Sequence, residues 1–123
     1  FRKSTSFFKI TMMRLFYICL LAMMSVGMGI PDSGIYVVEF NATFNAPNSV
    51  AWIEKLNDCK TSRVDIASAP EMQKEHQIIV VPTIVVFNNG EEVKRFQANI
   101  MMQMEATKSD VQGVVDEIIM SDF

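Results

Sequence analysis

Val37-Val38-Glu39-Phe40-Asn41-Ala42-Thr43-Phe44-Asn45-Ala46-Pro47-Asn48 is the stretch on which the fold of this chain turns. Its first half belongs to the run Ile35-Tyr36-Val37-Val38-Glu39-Phe40, which is rich in β-formers and apolar on both faces except at Glu39. Such continuity predicts a central strand covered on both sides, because a strand with one wet face alternates apolar and polar residues. Its second half predicts a helix start. Asn45 or Asn48 can cap the free amides and Pro47 suits a first turn. Val50, Ile53 and Leu56 then recur at i, i+3 and i+6, along one helical face, until Asn57-Asp58.

Outward from that stretch the elements alternate. Pro31-Asp32-Ser33-Gly34 is a turn-like linker before the first strand, and Arg63-Val64-Asp65-Ile66 is a second short strand. Ser68-Ala69-Pro70-Glu71 starts a short helix to about Gln77, with Ser68 and Glu71 at capping-box spacing. Ile78-Ile79-Val80-Val81 runs into Pro82, and Thr83-Ile84-Val85-Val86-Phe87 is a third strand. Asn88-Asn89-Gly90 supplies a hairpin turn, since Asn-Gly tolerates positive φ, and Glu92 to Ala98 returns as a fourth, more exposed strand. Val111, Val114, Val115, Ile118 and Ile119 mark a last helix, with Thr107 and Asp110 spaced as its capping box. The order βαβ, then αββα, predicts an α/β fold whose four-stranded mixed sheet carries helices on both faces.

This frame resembles the thioredoxin superfamily over about residues 35–120. Asn45-Ala46-Pro47-Asn48 lies where a thioredoxin carries Cys-Gly-Pro-Cys, and Val81-Pro82-Thr83 lies where the family carries its cis-proline. The resemblance implies a thioredoxin-like fold, a site loop at residues 45–48 facing Pro82, and a groove in which the backbone before the proline pairs with an extended peptide. It also implies that Glu39 stands for the family's buried acid, usually Asp, which moves a proton to the deeper cysteine. The chain departs from the pattern at both sulfurs. A carboxamide neither ionises near neutral pH nor attacks a disulfide, so the usual exchange chemistry is denied. It also departs by lacking the N-terminal strand and helix of full-length thioredoxins and by having a shorter first helix.

Each candidate residue has a plainer role beside it. Asn45 can cap a helix, or its neighbouring amides can bind an anion or a peptide carbonyl. Pro82 can be cis, or simply start a strand. Glu39 can be a strand-end carboxylate paired with water or a lysine. Cys59, in Asn57-Asp58-Cys59-Lys60, can be structural, or a single redox thiol whose pKa Lys60 lowers slightly. It stands on the wrong side of the loop for a resolving thiol. His76 is the lone histidine and has no metal-ligand spacing. Trp52 is expected to pack on the sheet. Ile100, Met101, Met102 and Met104 are expected to pack into core or loop, with an adaptable partner surface as the other reading. Nothing in the pattern calls for a cofactor, and no phosphate loop, Ser-His-Asp set or zinc spacing is present.

Composition bounds the function. The chain of 123 residues fits one domain, and with half its residues apolar and a fifth charged it has material for a core. Residues 1–31 hold Arg2, Lys3, Lys9 and Arg14 and no acid, whereas residues 32–123 hold all 14 acids against seven bases. An acidic body excludes the basic face that a nucleic-acid partner needs. Arg14 precedes the apolar run Leu15 to Met24, and Ser25, Gly27 and Gly29 follow it. Counted from Met12 or Met13, this has the order of a secretory signal peptide, with a retained membrane anchor over 15–30 as the alternative. Cleavage would remove Cys19 and leave Cys59 without an internal partner. The expectation is a 1–31 leader and a 32–123 thioredoxin-like domain, periplasmic or secreted. It would hold a protein or extended peptide without dithiol activity. The rivals are single-thiol chemistry at Cys59 and a membrane-anchored subunit of a larger assembly.

Overall fold

The computed structural model of this chain describes residues 29–122. The readings of residues 1–28 as leader or anchor, with Cys19, lie outside them. Among the described residues no helix is long and apolar enough to cross a membrane.

Alternation along two strands builds the molecule. Strand β1 (Ile35–Asn41) pairs in parallel with β2 (Lys60–Asp65) and antiparallel with β3 (Thr83–Asn88), and β3 pairs antiparallel with β4 (Glu91–Gln97). The sheet order is β2-β1-β3-β4, which makes β1 and β3 the central strands. Successive residues of a strand point to opposite faces, so two central strands buried on both sides supply two cores. Val37, Ile84 and Val86 meet Val50, Ile53 and Leu56 and the helix residues Val111, Val115 and Ile118 on one face. Val38, Phe40, Val85 and Phe87 meet Met72, Ile78 and Val81 on the other. Helix α1 (Pro70–Glu75) therefore covers one face and helix α2 (Lys108–Ser121) the other. This is the expected four-stranded mixed sheet with helices on both faces.

Three local readings hold. Thr107 caps α2 and shares a reciprocal capping box with Asp110. Asn89 and Gly90 form the β3–β4 turn at φ 53° and 84°, and a Cβ on Gly90 would sit 3.5 Å from the Asp32 backbone. Trp52 lies half-buried against the α2-side core.

The crossover from β1 to β2 corrects the predicted first helix. It consists of two 3₁₀ segments, Thr43–Asn48 and Ile53–Lys55, separated by extended backbone at Ser49 (ψ 144°). The cause is where the backbone of Val50 finds its partners. Its N–H donates to the buried Glu39 carboxylate and its C=O accepts from Arg63 Nη2 at 2.8 Å. A helix would have used those groups along its own axis, and buried backbone groups must be paired somewhere. The apolar spacing at Val50, Ile53 and Leu56 still puts all three into the core. Two smaller corrections follow the same logic. Strand β2 starts at Lys60, three residues early, because parallel pairing with Tyr36 onward extends it. Helix α1 is preceded by Ala69 without a side-chain cap, since Ser68 Oγ donates to Asp65 Oδ2 at 3.2 Å instead.

Candidate functional site

The C-terminal end of β1 delivers Asn41 and the 43–48 turn to the same end of the sheet as the loop before β3. The Val81-Pro82 peptide there is cis. Asn45, at φ −108° and ψ 17°, points inward and is only 4 % exposed. It caps no helix, which corrects the capping reading. Its Nδ2 lies 3.2 Å from Asn41 Oδ1, 3.1 Å from the Met102 carbonyl and 3.4 Å from the Val81 carbonyl. Its Oδ1 accepts from Asn48 Nδ2 at 2.8 Å. Asn41 closes the set by donating from Nδ2 to the Asn45 carbonyl at 3.2 Å and to Ser49 Oγ at 3.1 Å. Asn45 thus joins β1, the cis-proline loop and the β4–α2 loop, and a side-chain hydrogen bond spans the positions where the resemblance places two sulfurs. Ala46 and Pro47 stand exposed at the tip.

The groove beside this loop is apolar. A cavity of about 350 Å³ is lined by Phe44, Ile66, Gln73, Ile78, Ile79, Val80, Val81, Asn99, Ile100 and Met102, none of them charged. Phe44, Ile79 and Ile100 are largely or wholly exposed, as are Met101 and, less so, Met102. This corrects the expected packing of the 100–102 run, of which only the neighbouring Met104 reaches the core. The chain turns at Met102 with φ 58°, held by Met102 N–H to the Asn99 carbonyl at 3.0 Å and Met101 N–H to Asn99 Oδ1 at 2.9 Å. That turn is what leaves the hydrophobes outward. Thr83, the third residue of the proline mark, is buried and donates to the Val80 carbonyl at 2.7 Å.

Glu39 is 1 % exposed, directly beneath the 45–50 segment. Its partners are Arg63 Nη1 at 2.8 Å and the Val50 N–H, so the expected lysine or water is an arginine and a backbone amide. Arg63 also reaches Glu54 at 3.2 Å. Both Glu39 oxygens are therefore engaged in holding the crossover. Among the described residues no buried side-chain nitrogen or oxygen lacks a partner.

Cys59 stands apart. It precedes Lys60, which pairs with Tyr36 at the opposite end of β1 from Asn41, five strand steps or about 16 Å away. Burial and the Asp58 carboxylate push its thiol pKa up. That corrects the expected lowering by Lys60, because desolvation of a half-buried thiolate outweighs an exposed ammonium. His76 sits between Phe40 and Phe87, with ring centroids 5.5 and 5.4 Å away. Among the described residues no three His, Cys, Asp or Glu side chains gather as a metal-ligand set.

Sequence reasoning missed three participants: Asn41, Asn99 and Arg63. Asn41 was readable as a polar residue ending an apolar central strand. Asn99 and Arg63 act through local turn and register geometry that no spacing announces.

A mixed β2-β1-β3-β4 sheet, helices on both faces and a strand-end loop against a cis-proline define the thioredoxin-type α/β class, here with a sulfur-free loop. Known proteins agree. The chain is 36 % identical over 66 residues to the bifunctional thioredoxin reductase/thioredoxin of Mycobacterium leprae, across 48 % of this chain and 14 % of that protein. It is 28 % identical over 67 residues to thioredoxin H2 of Arabidopsis thaliana, across 50 % of each. A point-mutant thioredoxin of Halobacterium salinarum superposes with a TM-score of 0.54 at 17 % identity, over 70 % of this chain and 75 % of that one. No family model matches. The chain spans half or less of the length of these curated relatives. The fold is thioredoxin-like, and about half of the chain is similar in sequence to thioredoxins.

Proposed function

We propose that this chain is a redox-silent thioredoxin-like module that holds an extended apolar protein segment, non-covalently, in the groove beside Val81-Pro82. The observation that carries the reading is the Asn48-to-Asn45 hydrogen bond of 2.8 Å beside an uncharged, exposed groove. The loop keeps its shape and its neighbour while losing any atom able to form a mixed disulfide. Val81, held beside the buried Pro82 and Thr83, then shapes the groove's end, and Phe44, Ile79 and Ile100 supply its apolar contacts. Single-thiol chemistry at Cys59 is the weaker reading, because that thiol is half-buried, raised in pKa and remote from the groove. The module is proposed to work in the cell envelope or outside the cell, on the strength of Arg14 and the apolar run that follows it.

The test is fluorescence anisotropy with a reduced, alkylated, unfolded polypeptide as probe. Ile79→Asp combined with Ile100→Asp places charge on two exposed side chains, so the fold survives while affinity falls at least about tenfold, about 1.4 kcal/mol. Equal binding by both proteins would remove the groove from the account.

A further inference from the structure

Asn41-Ala42-Thr43 fits the Asn-x-Ser/Thr triplet that accepts N-linked glycans, a motif that ordinarily marks a surface loop of an exported protein. The fold puts this one in the opposite setting. Asn41 is the last residue of a central strand and is 7 % exposed. Its Nδ2, the atom that would carry the sugar, donates to the Asn45 carbonyl and to Ser49 Oγ. An amide nitrogen has two hydrogens, so both are committed. The Thr43 hydroxyl, the triplet's other functional group, donates to Asp65 Oδ2 at 2.6 Å. The folded chain buries the acceptor amide of Asn41 and ties the exposed Thr43 hydroxyl to Asp65.

We infer that Asn41 is a glycan acceptor of the unfolded chain only, so that glycosylation and closure of the Asn41–Asn45 loop exclude one another. The inference rests on the export reading, since it needs a compartment with an oligosaccharyltransferase. In the transfer, Asn41 Nδ2 bonds to the anomeric carbon of a lipid-diphosphate-linked oligosaccharide. The bond from that carbon to the diphosphate oxygen breaks, the lipid diphosphate leaves with the electron pair, and the Nδ2 proton passes to a base of the transferase. The product keeps one hydrogen on Nδ2, so one of the two loop bonds is lost. A branched polar group must then lie where Asn41 is now covered by the 45–49 segment. A chain that folds promptly escapes the mark, and a chain that lingers unfolded is marked and cannot close. The triplet thus records folding delay.

The experiment is translation of the full chain with endoplasmic-reticulum microsomes, with and without a heterologous leader fused ahead of Phe1, followed by protease and endoglycosidase. Protection by the vesicle reports export separately from glycan addition, so failure of the chain's own leader is distinguishable from failure of the inference. With either leader, the vesicle-protected Asn45→Ala chain, whose loop is unlocked, is expected to carry several-fold more endoglycosidase-sensitive glycan than wild type. Asn41→Gln and Thr43→Ala carry none. After detergent release, the wild-type fraction resisting protease is expected to be unglycosylated. A protease-resistant chain bearing a glycan at Asn41 would overturn the inference, as would a vesicle-protected Asn45→Ala chain that is never modified.

Discussion

Replacing Asn45 by alanine removes the junction of three loops. The Asn45 Nδ2 group has two hydrogens to share among Asn41 Oδ1, the Val81 carbonyl and the Met102 carbonyl, and Oδ1 accepts one bond from Asn48. Three bonds at about 1 kcal/mol each set the gross loss at about 3 kcal/mol. Water can reach Asn48 and Met102, which are not buried, and recovers part of that. It does not reach the buried Asn41 and Val81, whose oxygens would stand unpaired at about 1–3 kcal/mol for each such group. The balance is a destabilisation of about 2–4 kcal/mol, against a total of about 5–15 kcal/mol for a domain of this kind. Urea unfolding followed by Trp52 fluorescence reads it directly. With a slope of about 1 kcal/mol per molar, the midpoint drops by about 2 M or more. Ala46→Ser, at the exposed tip, serves as control and is expected to shift it little. A midpoint change for Asn45→Ala within error of that control would refute the claim that the amide network holds the loop.

Other outcomes follow from the same geometry. Bonds from Thr43, Ala67 and Ser68 hold the Asp65 carboxyl below its ordinary value, and Arg95 does the same for Glu92. A lowered folded pKa gives stability that is present above the unfolded value, near about 4, and lost as pH falls through the folded one, so Asp65→Asn should flatten the acid limb of a urea-midpoint profile below about pH 4. Arg95 donates to the His76 and Gln77 carbonyls at 2.7 and 3.1 Å, tying β4 to the end of α1. Arg95→Ala should therefore cost about 1–2 kcal/mol in the same assay and more than Glu92→Ala, which spares those two bonds. With its thiol pKa raised, Cys59 should react with iodoacetamide more slowly than free cysteine at neutral pH and speed up in urea; a rate above that of free cysteine would contradict the assignment. Asn45→Cys with Asn48→Cys should lose two titratable thiols on mild oxidation, as expected if the hydrogen-bonded pair lies close enough to bridge.

Much of the fold was legible because burial leaves a pattern. The uninterrupted runs in β1 and β3 announce strands covered twice, and the i, i+3, i+4 pattern with Thr107 and Asp110 announces α2. The first helix was misread for an identifiable reason. Val50, Ile53 and Leu56 do face the core, but periodicity reports burial, and only the long-range pairing of Val50 with Glu39 and Arg63 decides that the backbone is extended there. Residues 100–102 failed likewise. Apolar composition suggested burial, whereas the turn held by Asn99 lays the side chains outward. The site loop was legible as a place and not as an arrangement. The resemblance to thioredoxins implies the places of Asn45 and Pro82, while the inward turn of Asn45 depends on carbonyls 36 and 57 residues away.

Insulin-disulfide reduction by the purified chain, with dithiothreitol as electron donor, measures most directly whether this scaffold still passes electrons. The account predicts a rate equal to dithiothreitol alone for wild type and for Cys59→Ser. A rate clearly above that background for wild type, abolished by Cys59→Ser, would contradict it.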